Sequence, residues 1–119
     1  MTNKIRVMLY VDDIQKMTDF WSDLFKVTPL VSEELPEHYT TSIIALSDSI
    51  ELALFEKEFI NKYSPEVACS TPSLIIFTDQ FDLIYRRLEQ PGDIINPAGT
   101  DMFNFSDPEG NYFVIARNE

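Results

Sequence analysis

An α+β fold built from two βαβββ modules is the architecture this sequence predicts, and three observations carry it. Ile5 to Val11 alternates apolar and polar residues and runs straight into a segment whose large apolar residues recur at helical spacing. After a charged connection the same order returns from Ser73 onward. Near the C-terminus, Phe105-Ser106-Asp107-Pro108-Glu109-Gly110-Asn111-Tyr112-Phe113-Val114-Ile115 reads as strand, tight turn and strand. Asp-Pro opens that turn, and Gly110-Asn111 supplies the positive φ a compact reversal needs.

Each element follows from local pattern. In the first strand Ile5, Val7, Leu9 and Val11 share one face, and Arg6, Met8 and Tyr10 the other. Asp12 or Asp13 caps the next helix, whose stripe is Met17, Phe20, Trp21, Leu24 and Phe25. It ends near Phe25-Lys26, because Val27-Thr28 is β-branched and Pro29 cannot donate to a helical ladder. A strand is expected over Thr28 to Ser32, then an acidic loop to His38. Thr40 to Leu46 and Ile50 to Phe55 form a hairpin across Ser47-Asp48-Ser49. Lys57 to Pro65 reads as a charged connection with one helical turn.

In the second half Ser73 to Thr78 is a strand, and Asp79 caps a helix with the stripe Phe81, Ile84, Tyr85 and Leu88. Gln90-Pro91-Gly92 stops it. Strands near Asp93 to Asn96, Asp101 to Phe105 and Asn111 to Ala116 complete the chain. The 119 residues suit a single domain, with module one over about 4–63, a linker over about 64–71 and module two over about 72–118. Neither half buries its sheet face alone, so the two are expected to pack as one unit.

The chain is 45% hydrophobic with no apolar run of membrane-spanning length. Twenty acidic residues against nine Lys and Arg give a formal charge of −11. That opposes nucleic acid as a partner, which needs a basic footprint. The acidity reads as a solubilising surface. The single Cys69 excludes an intrachain disulfide framework, and no apolar export segment follows the N-terminal basic residue. A cytoplasmic protein without membrane contact is expected.

Two segments carry a resemblance to a known family. One is Leu9-Tyr10-Val11-Asp12-Asp13 leading into Phe20-Trp21-Ser22-Asp23-Leu24-Phe25; the other is Phe105-Ser106-Asp107-Pro108-Glu109-Gly110-Asn111. With their separation, they make the chain resemble the vicinal oxygen chelate superfamily, which holds glyoxalase I, bleomycin-resistance proteins, fosfomycin-resistance enzymes and extradiol dioxygenases. The resemblance implies a curved mixed sheet whose two modules enclose a cleft, and a homodimer. Enzymatic members hold a divalent metal on inward strand positions.

Carried over one at a time, those metal positions fall on Arg6, on or near Glu51, on Ser73 and on Val114. Arginine cannot ligate a metal, and only Glu51 is chemically suited. His38, the one histidine, lies in the acidic loop. The resemblance is therefore to the metal-free, bleomycin-resistance-like members, with no metal and no cofactor. The inward phase offers Arg6, Met8 and Tyr10, then Glu51, Ala53 and Phe55, then Ser73, Ile75 and Phe77, and finally Tyr112, Val114 and Ala116. Rings supply area and the two charges supply orientation, which suits a small organic ligand. Arg6 and Glu51 are expected to pair, while Arg6 can also meet a ligand carboxylate or phosphate.

Of the other aromatics, Trp21 belongs to the core or to a dimer contact, and Tyr39 is either a cleft-closing or a plain loop residue. Met102 and Asn104 face the cleft if Phe103 and Phe105 face the helices. No Cys-His or Ser-His pair stands at meaningful spacing, and Glu51 is the one candidate base. Small-molecule binding leads. The alternatives are antibiotic sequestration, a metal-independent lyase or isomerase using Glu51 with Tyr10 or Arg6, and a structural or regulatory protein with a filled cleft.

Overall fold

A computed structural model describes residues 3–67 and 71–118. Cys69 and the middle of the expected linker lie outside them. The chain divides into two compact units, Met1–Thr71 and Pro72–Glu119. Each carries a mixed sheet with one helix-covered face.

The first unit runs β1 (Ile5–Val11), α1 (Ile14–Phe25), β2 (Leu30–Ser32), β3 (Thr41–Ala45), β4 (Ile50–Glu56) and α2 (Lys57–Tyr63). Its sheet order is β1-β4-β3-β2, with β1 parallel to β4 and the remaining pairs antiparallel. Asp13 caps α1, accepting from the Lys16 backbone N–H at 3.1 Å. Lys26 ends it in the left-handed region at φ 55°, returning its N–H to the Ser22 carbonyl. Met17 and Trp21 are wholly buried, and α1 packs on β3 and β4. Beneath it lie Leu9, Val11, Ile44, Leu52 and Leu54, each at most 3% exposed. Thr18 and Ser42 pair their hydroxyls at 2.9 Å in this core, so neither polar group is left unsatisfied.

The second unit runs β5 (Ile75–Thr78), α3 (Phe81–Arg87), β6 (Met102–Ser106) and β7 (Tyr112–Arg117), in sheet order β5-β7-β6. Phe103, Phe105, Phe113 and Ile115 are buried. The Phe103 ring meets Phe81 and Tyr85 of α3 edge-on at 5.1 and 4.9 Å. Between β6 and β7, Asp107 Oδ1 accepts the N–H groups of Glu109 and Asn111 at 3.0 and 2.9 Å, and Gly110 takes φ 82°. The turn is a structural corner in which one carboxylate holds two backbone donors.

Several expected boundaries change. The strand expected over Asp93 to Asn96 reduces to a bridge in which Ile95 and Met102 exchange two 2.8 Å hydrogen bonds. Pro97 follows at once and has no N–H to extend the ladder, and Ala98 turns the chain at φ 53°. Strand β2 begins at Leu30 rather than Thr28, after Pro29. Strand β5 begins at Ile75, so Ser73 lies in the exposed segment before it. Gln80, not Asp79, holds the α3 cap position, with its N–H on Thr78 Oγ1 at 3.0 Å; the Asp79 carboxylate accepts from Asn118 instead. Helix α3 ends at Arg87, with Leu88 already extended. The charged connection holds two turns, α2, anchored by buried Ile60.

Candidate functional site

In the first unit α1 covers one face of the sheet, and strand alternation delivers a defined set of side chains to the other. The parallel register sets Arg6 opposite Glu51, Met8 opposite Ala53 and Tyr10 opposite Phe55. The antiparallel register adds Ile43 beside Ala53 and Thr41 beside Phe55. Met8 is 42% exposed, Tyr10 and Phe55 are half-buried, and Ala53 is covered by its neighbours. The Tyr10 and Phe55 rings lie 6.4 Å apart.

One end of this apolar face carries charge. Arg6 donates to Glu51 Oε1 from Nε at 2.8 Å and from Nη2 at 2.6 Å. Lys4 Nζ lies 3.5 Å from Glu51 Oε2. The Arg6 hydrogen bond holds the Glu51 carboxyl below its ordinary value; partial desolvation opposes this and the Lys4 ammonium reinforces it. Glu51 is thus an engaged carboxylate and a weak base.

Beyond Phe55 the face continues onto α2. Phe55 stacks near Phe59 at 6.3 Å, Phe59 near Tyr63 at 5.1 Å, and Tyr39 leans on Phe59 at 5.6 Å. Tyr39 donates its hydroxyl to Glu58 at 2.9 Å. Glu37, at φ 59°, accepts from Lys62 and from the Tyr63 hydroxyl, which pins the acidic loop to α2. The sequence reading passed over Lys4, Phe59 and Tyr63. The i, i+4 spacing of Phe59 and Tyr63 was the available signal for the latter two.

In the second unit the uncovered face presents Ile75, Phe77, Tyr112 and Val114 with Met102, Asn104 and Ser106. Phe77 is 55% and Tyr112 68% exposed. Ser73 stands outside this strand array. Trp21 is fully buried in α1, stacked on Phe25 at 6.0 Å.

Among the described residues, no three His, Cys, Asp or Glu side chains gather to hold a metal ion, and no helix is long and apolar enough to cross a membrane. The sequence profile of the Glyoxalase/Bleomycin resistance protein/Dioxygenase superfamily matches residues 5–115. The chain belongs to this superfamily.

Solved glyoxalase-like structures share the fold over nearly the whole chain. TnmS3, an antibiotic binding protein from Streptomyces sp. CB03234, is similar at TM-score 0.74 and 18% identity, covering 100% of this chain and 98% of its own. A glyoxalase/bleomycin resistance protein/dioxygenase superfamily member from Sphaerobacter thermophilus DSM 20745 gives 0.73 at 18% identity, covering 99% and 98%. A lactoylglutathione lyase from Agrobacterium tumefaciens gives 0.67 at 17%, covering 95% and 91%. No sequence among the curated proteins matches. At these identities the likeness establishes the glyoxalase fold.

The residues on which the sequence resemblance sets a metal do not offer a ligand set. Arg6 has no lone pair to give, Val114 has no donor atom, and Ser73 offers a neutral hydroxyl. The one carboxylate, Glu51, already holds Arg6 on one oxygen and faces Lys4 with the other.

Proposed function

We propose that this chain binds a small apolar or aromatic molecule without a metal, on an uncovered sheet face. The observation that carries the reading is the character of the uncovered faces. Met8, Tyr10, Phe55, Phe77, Tyr112 and Val114 leave apolar and aromatic area solvent-accessible, and an Arg6–Glu51 ion pair stands at one end of the first face. Large exposed apolar surface on a folded protein marks a binding surface. The antibiotic-binding relative of the same fold makes sequestration of an antibiotic a specific form of this reading.

We also propose a cytoplasmic homodimer. Edge strand β2 exposes Leu30 at 72% and Val31 at 57%, an apolar edge that a second copy would cover. A lyase or isomerase using Glu51 as base is the less favoured alternative, since that carboxylate is engaged by Arg6.

Native mass spectrometry of protein purified without a metal-binding tag, with elemental analysis of the same sample, tests the reading. A dimer free of metal and carrying an organic adduct is expected. Near-stoichiometric Zn, Fe, Mn or Ni would overturn it.

A further inference from the structure

The uncovered face of the first sheet is apolar except at one end, and there the charge is unbalanced. Lys4 and Arg6 bring two positive charges to the single negative charge of Glu51. The Glu51 side chain is only 10% exposed, whereas those of Lys4 and Arg6 are 52% and 51% exposed. The carboxylate is therefore covered and the cations face outward. Arg6 sets Nε and Nη2 on one oxygen of Glu51, and its side chain stays half exposed. Lys4 Nζ stands 3.5 Å from Glu51 Oε2, and an ammonium carries three donors.

We propose that Lys4 and Arg6, oriented by Glu51, form an anion subsite, and that the molecule bound on this face is an aromatic carboxylate. The inference rests on the reading of this face as a ligand surface and names the ligand class. An incoming carboxylate takes Arg6 Nη1 and the Lys4 ammonium in charge-assisted hydrogen bonds. Its hydrocarbon then runs along β1 over Met8 toward Tyr10 and Phe55. Arg6 and Tyr10 are four residues apart on one strand, about 13 Å, which is room for two rings in line rather than one. The chain's overall negative charge does not oppose this, because exposed charges more than about 8 Å away are largely screened at physiological salt.

Calorimetric titration of the full chain with biphenyl-4-carboxylate and with neutral biphenyl-4-carboxamide tests the proposal. The carboxylate is expected to bind at least about tenfold tighter. Lys4→Gln and Arg6→Gln should each weaken the carboxylate and leave the amide unchanged. Glu51→Gln, which removes the internal competitor, should tighten the carboxylate several-fold. Lys4 is exposed, so its variant stays informative even where Arg6→Gln fails to fold. Equal binding of acid and amide would overturn the anion subsite and leave the binding reading standing. Absence of binding by either compound would overturn both.

Discussion

Arg6 and Glu51 stand opposite each other in the parallel register of β1 and β4, and the guanidinium closes on one carboxylate oxygen from two nitrogens, at 2.6 and 2.8 Å. A parallel pair places one residue of each strand side by side on the same face, so this contact follows from the register. It also fixes the electrostatic behaviour of the face, because Arg6 holds the Glu51 carboxyl below its ordinary value.

That behaviour predicts an acid limb in stability. The Glu51 carboxyl lies below its ordinary 4.5 because of Arg6. Asp82 lies below 3.8 through Arg117, and Asp101 lies below 3.8 through Asn96 and then Arg117. A carboxyl whose folded value is depressed stabilises the fold above its unfolded value, and the contribution is lost as pH falls through the folded value. Urea midpoints should be flat from neutral pH down to the ordinary carboxylate range and fall below it. Glu51→Gln should flatten part of that fall; an unchanged acid limb in this variant would contradict the assignment.

An alkaline limb is predicted from the loop pinned to α2. The Tyr63 hydroxyl is raised above 10.0 by its hydrogen bond to Glu37, and that of Tyr39 by its bond to Glu58. Lys62 is raised above 10.5 by Glu37. Groups raised on folding stabilise below their unfolded values and release that stability as pH rises through the folded ones. In a spectrophotometric titration Tyr39 and Tyr63 should ionise late. Tyr39→Phe and Tyr63→Phe should each remove one late component, and loss of neither would count against the pinned loop.

Gly92 has a packing reason of its own. A β-carbon there would stand 2.1 Å from Asn104 Oδ1 and 3.1 Å from the Asn104 carbonyl oxygen. Gly92→Ala should cost about 1–3 kcal/mol by overpacking. The side-chain clash can be relieved and the backbone contact cannot. Adding Asn104→Ala should therefore recover part of the loss, measured as a coupling in a double-mutant cycle of denaturant midpoints.

Asp107→Ala should cost about 2 kcal/mol, because a buried carboxylate holding two backbone N–H groups is removed and those donors lose their acceptor. Asp107→Asn, which keeps one acceptor oxygen, should retain part of the stability. Equal loss in both variants would mean the charge matters more than the acceptor.

Trp21→Ala should cost about 3–5 kcal/mol, the range for emptying a large aromatic site in a core. Trp21 lies on the helix-covered side of the first sheet. The emission of this single tryptophan should therefore be that of a buried indole and change little when biphenyl-4-carboxylate binds the opposite face. Strong contact quenching would place the ligand elsewhere.

Much of the fold was legible because it rests on short-range periodicity. Alternation in Ile5 to Val11 assigns Leu9 and Val11 to the core and Met8 to the other face. The stripe through Met17, Trp21 and Leu24 sets the buried side of α1, and Asp107 to Gly110 declares its own turn. The misplacements came where local signals compete. Asp79 looked like a cap, but the preceding Thr78 hydroxyl takes the Gln80 N–H. Asp93 to Asn96 looked like a strand, but Pro97 ends its pairing after one bridge.

The sequence by itself determined most of the order of elements and the face that most strand residues take, since these depend on residue type and spacing alone. Tertiary structure decided who meets whom. That Lys4 joins Arg6 on Glu51, that Tyr39 reaches Glu58, and that Glu37 ties its loop to α2 are contacts across 19 to 47 residues of chain, set by sheet register and helix docking. Such contacts leave no periodic trace in the sequence, because periodicity reports a residue's relation to its own strand or helix and not to the element packed beside it.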